Sequence, residues 1–130
     1  MEIILKTKSR NEMIDITSEV EKAVSKSGVK EGICLVYCPH TTAGVTINEN
    51  SDPDVCDDLI MGLIRIVDSD WPFKHSEGNS DAHLKSSIIG CEKTIIIEKG
   101  RLKLGVWQGI MFSEFDGPRQ RRVDVKVIEG

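Results

Sequence analysis

The stretch Arg121–Ile128 alternates strictly, and this constrains the fold more than any other feature of the chain. Val123, Val125 and Val127 fall on one side, Asp124 and Lys126 on the other, because successive strand side chains face opposite ways. A strand with one apolar and one polar face belongs in an antiparallel sheet covered on one side. The run Ile33-Cys34-Leu35-Val36-Tyr37 is apolar throughout. It reads as the middle of a sheet, within a strand Gly32–Cys38.

The other segments fall around these two. Residues 2–8 and Glu12–Ile16 read as strands. Ser18 opens a helix, with Glu21 completing a capping box, Val20 and Val24 as its apolar stripe and Gly28 as its stop. Ala43–Asn48 is a strand, and Asp52-Pro53 is a strong helix start. Val55, Leu59, Leu63, Ile66 and Val67 approximate the helical period. A polar loop, Asp68–Ser80, leads to a short helix capped by Ser80 or Asp81 and ending at Gly90. Loops of this length inside a domain commonly carry function. Thr94–Glu98, Leu102–Leu104 and Val106–Phe115 are strands, and Asp116-Gly117-Pro118 turns into the last one. The order predicts one α+β domain over residues 1–130: a mostly antiparallel sheet with two or three helices, sandwich-like.

Composition narrows the function classes. The net charge of −4 argues against general nucleic-acid binding. Basic residues cluster only at Arg119, Arg121 and Arg122, enough for one phosphate or carboxylate. No basic segment followed by an apolar stretch opens the chain, and no apolar run approaches the roughly 20 residues that span a bilayer. The expectation is a cytoplasmic protein with no membrane partner. The four cysteines lack CxxC spacing and read as buried thiols.

Chemistry concentrates in three stretches. The first holds His40, in Pro39-His40-Thr41-Thr42-Ala43-Gly44. If the next turn makes a hairpin, His40 and Glu49 lie at opposite ends of it. Cys38, two residues earlier, makes a Cys–His nucleophile conceivable. The second runs from His75 to His83, with Glu77 and Asp81 between. Imidazoles poised near neutral pH serve either as metal ligands or as proton-transfer groups. His40, His75 and His83 could thus hold zinc or another divalent ion, with Glu77 or Asp81 as support. They could equally form a metal-free site, and both readings stay open. The third is Gly105–Arg122, where Gly109 marks a bulge or a close approach. In a regular strand Gln108, Ile110, Phe112 and Glu114 share a face, and Glu114 needs a partner such as Arg119 or Arg121.

Together these stretches resemble the YjbQ family, whose members often carry the label secondary thiamine-phosphate synthase. The likeness rests on Pro39–Glu49, on His75–His83, on Gly105–Ile110 and on Asp116–Arg119, and it covers essentially the whole chain. Val106 departs from it, standing where the family pattern favours threonine. The resemblance implies a homotrimer, with a pocket formed where subunits meet from the histidine motifs, Trp107, Gln108 and the arginine segment. It also implies a reaction that joins a pyrimidine methyl diphosphate to a thiazole phosphate and expels pyrophosphate. Cations, including a divalent metal such as zinc or magnesium, would steady that leaving group. A strong magnesium–diphosphate site would need Glu49, Asp52 and Asp81 to converge.

The expected activity is that of an enzyme on a small phosphorylated metabolite. His40, His75 and Glu77 are its candidate catalytic residues, and Trp107, Gln108, Arg119 and Arg121 would bind substrate. His40, His75 and His83 are the candidate metal ligands. The alternative is a non-catalytic trimer that binds a metal or ligand.

Overall fold

The computed structural model describes all 130 residues. Eight strands and three helices follow in the order β1 (Glu2–Lys6), β2 (Glu12–Asp15), α1 (Thr17–Ser27), β3 (Gly32–Tyr37), β4 (Ala43–Glu49), α2 (Pro53–Ile66), α3 (Ser80–Ile89), β5 (Glu92–Glu98), β6 (Arg101–Leu102), β7 (Gln108–Glu114) and β8 (Gln120–Glu129). They form two antiparallel sheets, ordered β1-β8-β3-β5-β6 and β2-β7-β4. This is the α+β sandwich expected.

Strand parity builds the core. Val123 and Val125 of β8, Cys34 and Val36 of β3, and Ile95 and Ile97 of β5 are buried and face inward. They meet Ala43, Val45, Ile110 and Phe112 of the smaller sheet. Val20, Ala23 and Val24 of α1 join the same cluster. The other face of β7 packs Phe115, just beyond its end, with Leu63 of α2 and Ala82 of α3. β3 is central in the larger sheet, between β8 and β5, as its unbroken apolar run predicts. Its outward side is nevertheless uncovered. There Ile33 stands opposite Ile96 and Ile128, and all three are exposed.

Several local expectations need correcting. β3 and β4 lie in different sheets, so Cys38–Thr42 is a crossing between layers and not a hairpin turn. The apolar runs of both strands must reach one core from opposite sides, and only a crossing allows that. α1 starts at Thr17, one residue before Ser18. The Asp15 carboxylate accepts from the Thr17 N–H at 2.9 Å, so the box of Ser18 and Glu21 is not used. Ser80 and Asp81 lie inside α3, with Asn79 at the cap position and no side-chain cap bond. β6 is shorter than Leu102–Leu104 and β7 begins only at Gln108, because the chain turns between them. Asp52 does cap α2, accepting from the Asp54 N–H at 2.9 Å.

Candidate functional site

Three connections meet at one end of the sandwich: the crossing from β3 to β4, the loop before α3 and the turn from β7 to β8. Parity explains what lies beneath them. Glu114 of β7 and Arg121 of β8 both point inward, so a carboxylate and a guanidinium face each other between the sheets. Glu114 is 0% exposed. Arg121 Nε reaches its two oxygens at 2.8 and 3.1 Å, and Nη2 also donates to it. Thr7 Oγ1 donates to Oε1 at 2.8 Å, and the N–H groups of Phe115 and Asp116 donate to Oε2 at 3.1 Å each. Burial alone would raise the Glu114 pKa, but these bonds from Arg121, Thr7 and Asp116 lower it. Arg121 Nη2 continues to Thr42, 2.8 Å from Oγ1 and 3.2 Å from the carbonyl oxygen. Arg121 Nη1 enters none of these bonds, and Arg121 lines a cavity above.

His40 closes a gap in the larger sheet. The register pairs Tyr37 with Asp124, so the ladder would next reach Pro39 and Arg122. Pro39 has no N–H to offer. The His40 ring takes that place, with Nε2 2.9 Å from the Arg122 nitrogen and 3.1 Å from its carbonyl oxygen. Burial and the Arg121 guanidinium lower the His40 pKa. The ring is therefore neutral near pH 7, and Nε2 accepts from the Arg122 N–H. Nδ1 is the ring nitrogen left for a ligand.

α3 supplies His83. Gly44 of β4 lets the end of this helix come close: a Cβ there would lie 2.6 Å from the Gly90 carbonyl oxygen. Ser86 Oγ donates to the Ala43 carbonyl at 2.6 Å. The loop before α3 brings His75 edge-on to His83, with ring centroids 5.3 Å apart. His75 Nδ1 lies 3.0 Å from Ser80 Oγ, and Glu77 Oε1 lies 3.8 Å from Nε2. Asn79 Nδ2 donates to Asp116 at 2.9 Å, and Arg119 Nη2 reaches the same carboxylate at 3.2 Å.

All three histidines line one cavity of about 480 Å³ with Glu77, Arg119 and Arg121, and no hydrophobic residue lines it. The chain thus brings together residues from three separate segments. Asn79 lines the cavity too, and its Oδ1 is buried without a partner. A wider cavity, about 610 Å³, lies on the far side of His40 and His83 and includes Tyr37 and Cys91.

The family profile described as UPF0047 protein YjbQ-like matches residues 1–130. The chain belongs to the YjbQ family. It is 56% identical to a UPF0047 protein of Methanocaldococcus jannaschii over 95% of this chain and 90% of that one. It is 51% identical to the UPF0047 protein YugU of Bacillus subtilis, over 95% of each. A crystal structure of a YjbQ/UPF0047 family protein from Clostridium acetobutylicum superposes with a TM-score of 0.97 at 55% identity, covering 98% of this chain and 99% of the other. A protein of unknown function from Sulfolobus solfataricus gives 0.96 at 33% identity, covering 100% and 96%.

Within this YjbQ chain, other expected site residues go elsewhere. Trp107 and Gln108 lie at the far end of β7, about 20 Å from Glu114 at 3.3 Å per residue. Gly109 there makes room for Asn50, whose Nδ2 would lie 2.3 Å from a Cβ. Asp81 does not support the histidines. Two residues before His83, it is turned about 200° around the helix, where it meets Arg10 and Lys85. Glu49 pairs with Gln108, and Asp52 caps α2, so these carboxylates do not converge with Asp81. Arg121 is expected both as a partner for Glu114 and as a substrate ligand; it pairs with Glu114, its Nε and Nη2 are committed to Glu114 and Thr42, and only Nη1 is left for a ligand. Cys38 is 1% exposed, and burial pushes its thiol up to about 11, which leaves no thiolate for a Cys–His nucleophile.

A preassembled metal centre does not fit the donors of one chain. No three His, Cys, Asp or Glu side chains gather in a ligating cluster. His40 faces Arg122 through Nε2, which leaves only Nδ1 for a ligand. Thr7, Thr42 and Asn79 are the site residues that sequence reasoning did not single out. Asn79 and Thr42 sit inside motifs that were noticed, but nothing local marks Thr7. No helix of the chain is long and apolar enough to cross a membrane.

Proposed function

We propose that this chain binds a small phosphorylated metabolite in the histidine cavity and acts on it by acid–base catalysis. One observation carries the reading: three imidazoles and two guanidiniums line a cavity with no hydrophobic wall. Arg119 and the free Nη1 of Arg121 would hold phosphate oxygens, since guanidinium donors match that geometry. His40 Nδ1 adds a neutral polar contact. His83 and His75 would exchange protons, with the Glu77 carboxylate 3.8 Å from His75 Nε2. For thiamine-phosphate synthase chemistry, the same cations would steady departing pyrophosphate. The scattered carboxylates make that narrower assignment the less supported part of the reading.

The proposal includes a homotrimer. Its support is the uncovered sheet face around Ile33, Ile96 and Ile128, an apolar surface of the kind that subunit contacts cover. Such an assembly could carry Trp107 of one copy towards the cavity of another. The rival reading, a non-catalytic binding trimer, gains from the lack of a competent cysteine nucleophile. Titration with inorganic pyrophosphate and a panel of phosphorylated metabolites, run beside product detection, separates the two. Binding with turnover is expected, and His83→Ala and Arg119→Ala should each weaken both. Tight binding of panel members with no product from any of them favours the rival. Full activity in a His40→Ala, His83→Ala double variant overturns the catalytic reading.

A further inference from the structure

α3 has a second polar side, turned away from the histidines. Lys85 lies there, only 2% exposed despite its charge. Its Nζ donates to Asn11 Oδ1 at 3.1 Å and to Asp81 Oδ2 at 3.2 Å. Arg10 Nη2 takes the other Asp81 oxygen at 2.9 Å and also reaches the Gly78 carbonyl at 3.4 Å. One buried carboxylate thus serves two cations. An ammonium has three N–H donors, and the third on Lys85 has no partner.

These residues line a cavity of about 390 Å³ that Arg65, near the end of α2, also lines. Arg65 has no carboxylate partner in the chain, whereas Arg10 and Lys85 share theirs. Asp68 lines the cavity as well, but one of its oxygens accepts from the Asp70 N–H at 2.8 Å. Three cations therefore meet two carboxylates, one of them already divided and the other partly engaged. Buried donors left unmatched are costly, and a small anion would satisfy them.

We infer that this cavity is a second anion site, separate from the histidine cavity, for a dianionic oxyanion of phosphate size. Lys85 supplies a buried donor, and Arg10 and Arg65 close over the ligand from the rim. Arg10 also holds Gly78 in the segment that carries His75, so occupancy is felt at the loop of the first site. The second site does not require the first to be catalytic.

Titration of the full chain with inorganic phosphate at low ionic strength tests this, because surface contributions are screened at high salt. Two sites per chain are expected. Arg65→Glu changes an exposed side chain outside both buried networks. It should weaken one site by at least about tenfold, the loss of one charge-assisted contact. The site that remains should be the one that Arg119→Ala weakens. Lys85→Met should repeat the Arg65→Glu result if it folds, and Arg65→Glu decides the matter if it does not. Abolition of all phosphate binding in Arg119→Ala, or unchanged stoichiometry and affinities in Arg65→Glu, overturns the inference. A single wild-type site that Arg65→Glu weakens and Arg119→Ala does not would count against the proposed function and leave this site standing.

Discussion

The two ends of β7 solve opposite problems. At the Glu114 end both carboxylate oxygens accept hydrogen bonds, and the buried pair with Arg121 forms the floor of a polar cavity. At the Gln108 end the chain leaves Trp107 62% exposed and Val106 90% exposed. One end is finished within a single chain. The other presents large apolar side chains with nothing packed over them, as a surface awaiting a neighbour does. The contrast teaches that a buried polar network can belong to the architecture and to the site at once. Arg121 cannot be moved to suit a ligand, because Glu114 and Thr42 hold two of its three nitrogens.

Breaking the network should have the largest effect. Glu114→Ala leaves Arg121 buried without a counter-charge and should cost about 3–5 kcal/mol in urea denaturation. Trp107→Ala, measured the same way on the isolated chain, should change stability by less than about 0.5 kcal/mol. Equal losses would erase the contrast. Gly44→Ala comes next. Its methyl would meet the Gly90 carbonyl, forcing α3 outward at about 1–3 kcal/mol and separating His83 from His40. Anion affinity should therefore fall more than it does in Gly109→Ala, where only the Asn50 side chain must move.

Acid should weaken the finished end specifically. His40 has a folded pKa below its ordinary value of 6.5, so the unfolded chain binds more protons than the folded one just below that pH. Its contribution is complete above pH 6.5 and is lost as the pH falls towards the folded value. Glu114, also lowered, contributes fully above about pH 4.5 and loses that contribution at lower pH. Urea midpoints should fall first as the pH drops below 6.5 and again below 4.5. His40→Asn should flatten the first step alone. The smallest effect concerns thiols. Iodoacetamide should label exposed Cys91 well before Cys34 and Cys38, which are buried and pushed up to about 11. Rapid labelling of Cys38 would revive it as a nucleophile.

Much of the fold was readable because it depends on short-range rules. The valines of β8 face inward and Asp52 caps α2, as period and cap chemistry require. Parity even placed Glu114 with Phe112 and Ile110 on one face, and so announced its need for a partner. It could not choose between Arg119 and Arg121. Arg121 wins because β8 turns it inward, while Arg119 sits in the turn and bonds Asp116. The pairing of Asp81 with Lys85 lay in plain view as an i, i+4 spacing, yet the nearby histidines drew Asp81 into the wrong site.

By itself the sequence determined the elements, the antiparallel class, the buried faces and the three histidines as candidates, since each follows from neighbours a few residues apart. Only the tertiary structure decided that Cys38–Thr42 crosses between sheets and that His40 completes the ladder where Pro39 cannot. It also decided that His75, His83 and Arg119 share a cavity while Trp107 and Gln108 stand far from it within one chain. These outcomes depend on which strands pair and in what register. That choice is made by burying all the apolar faces at once, and no single stretch of the chain carries it.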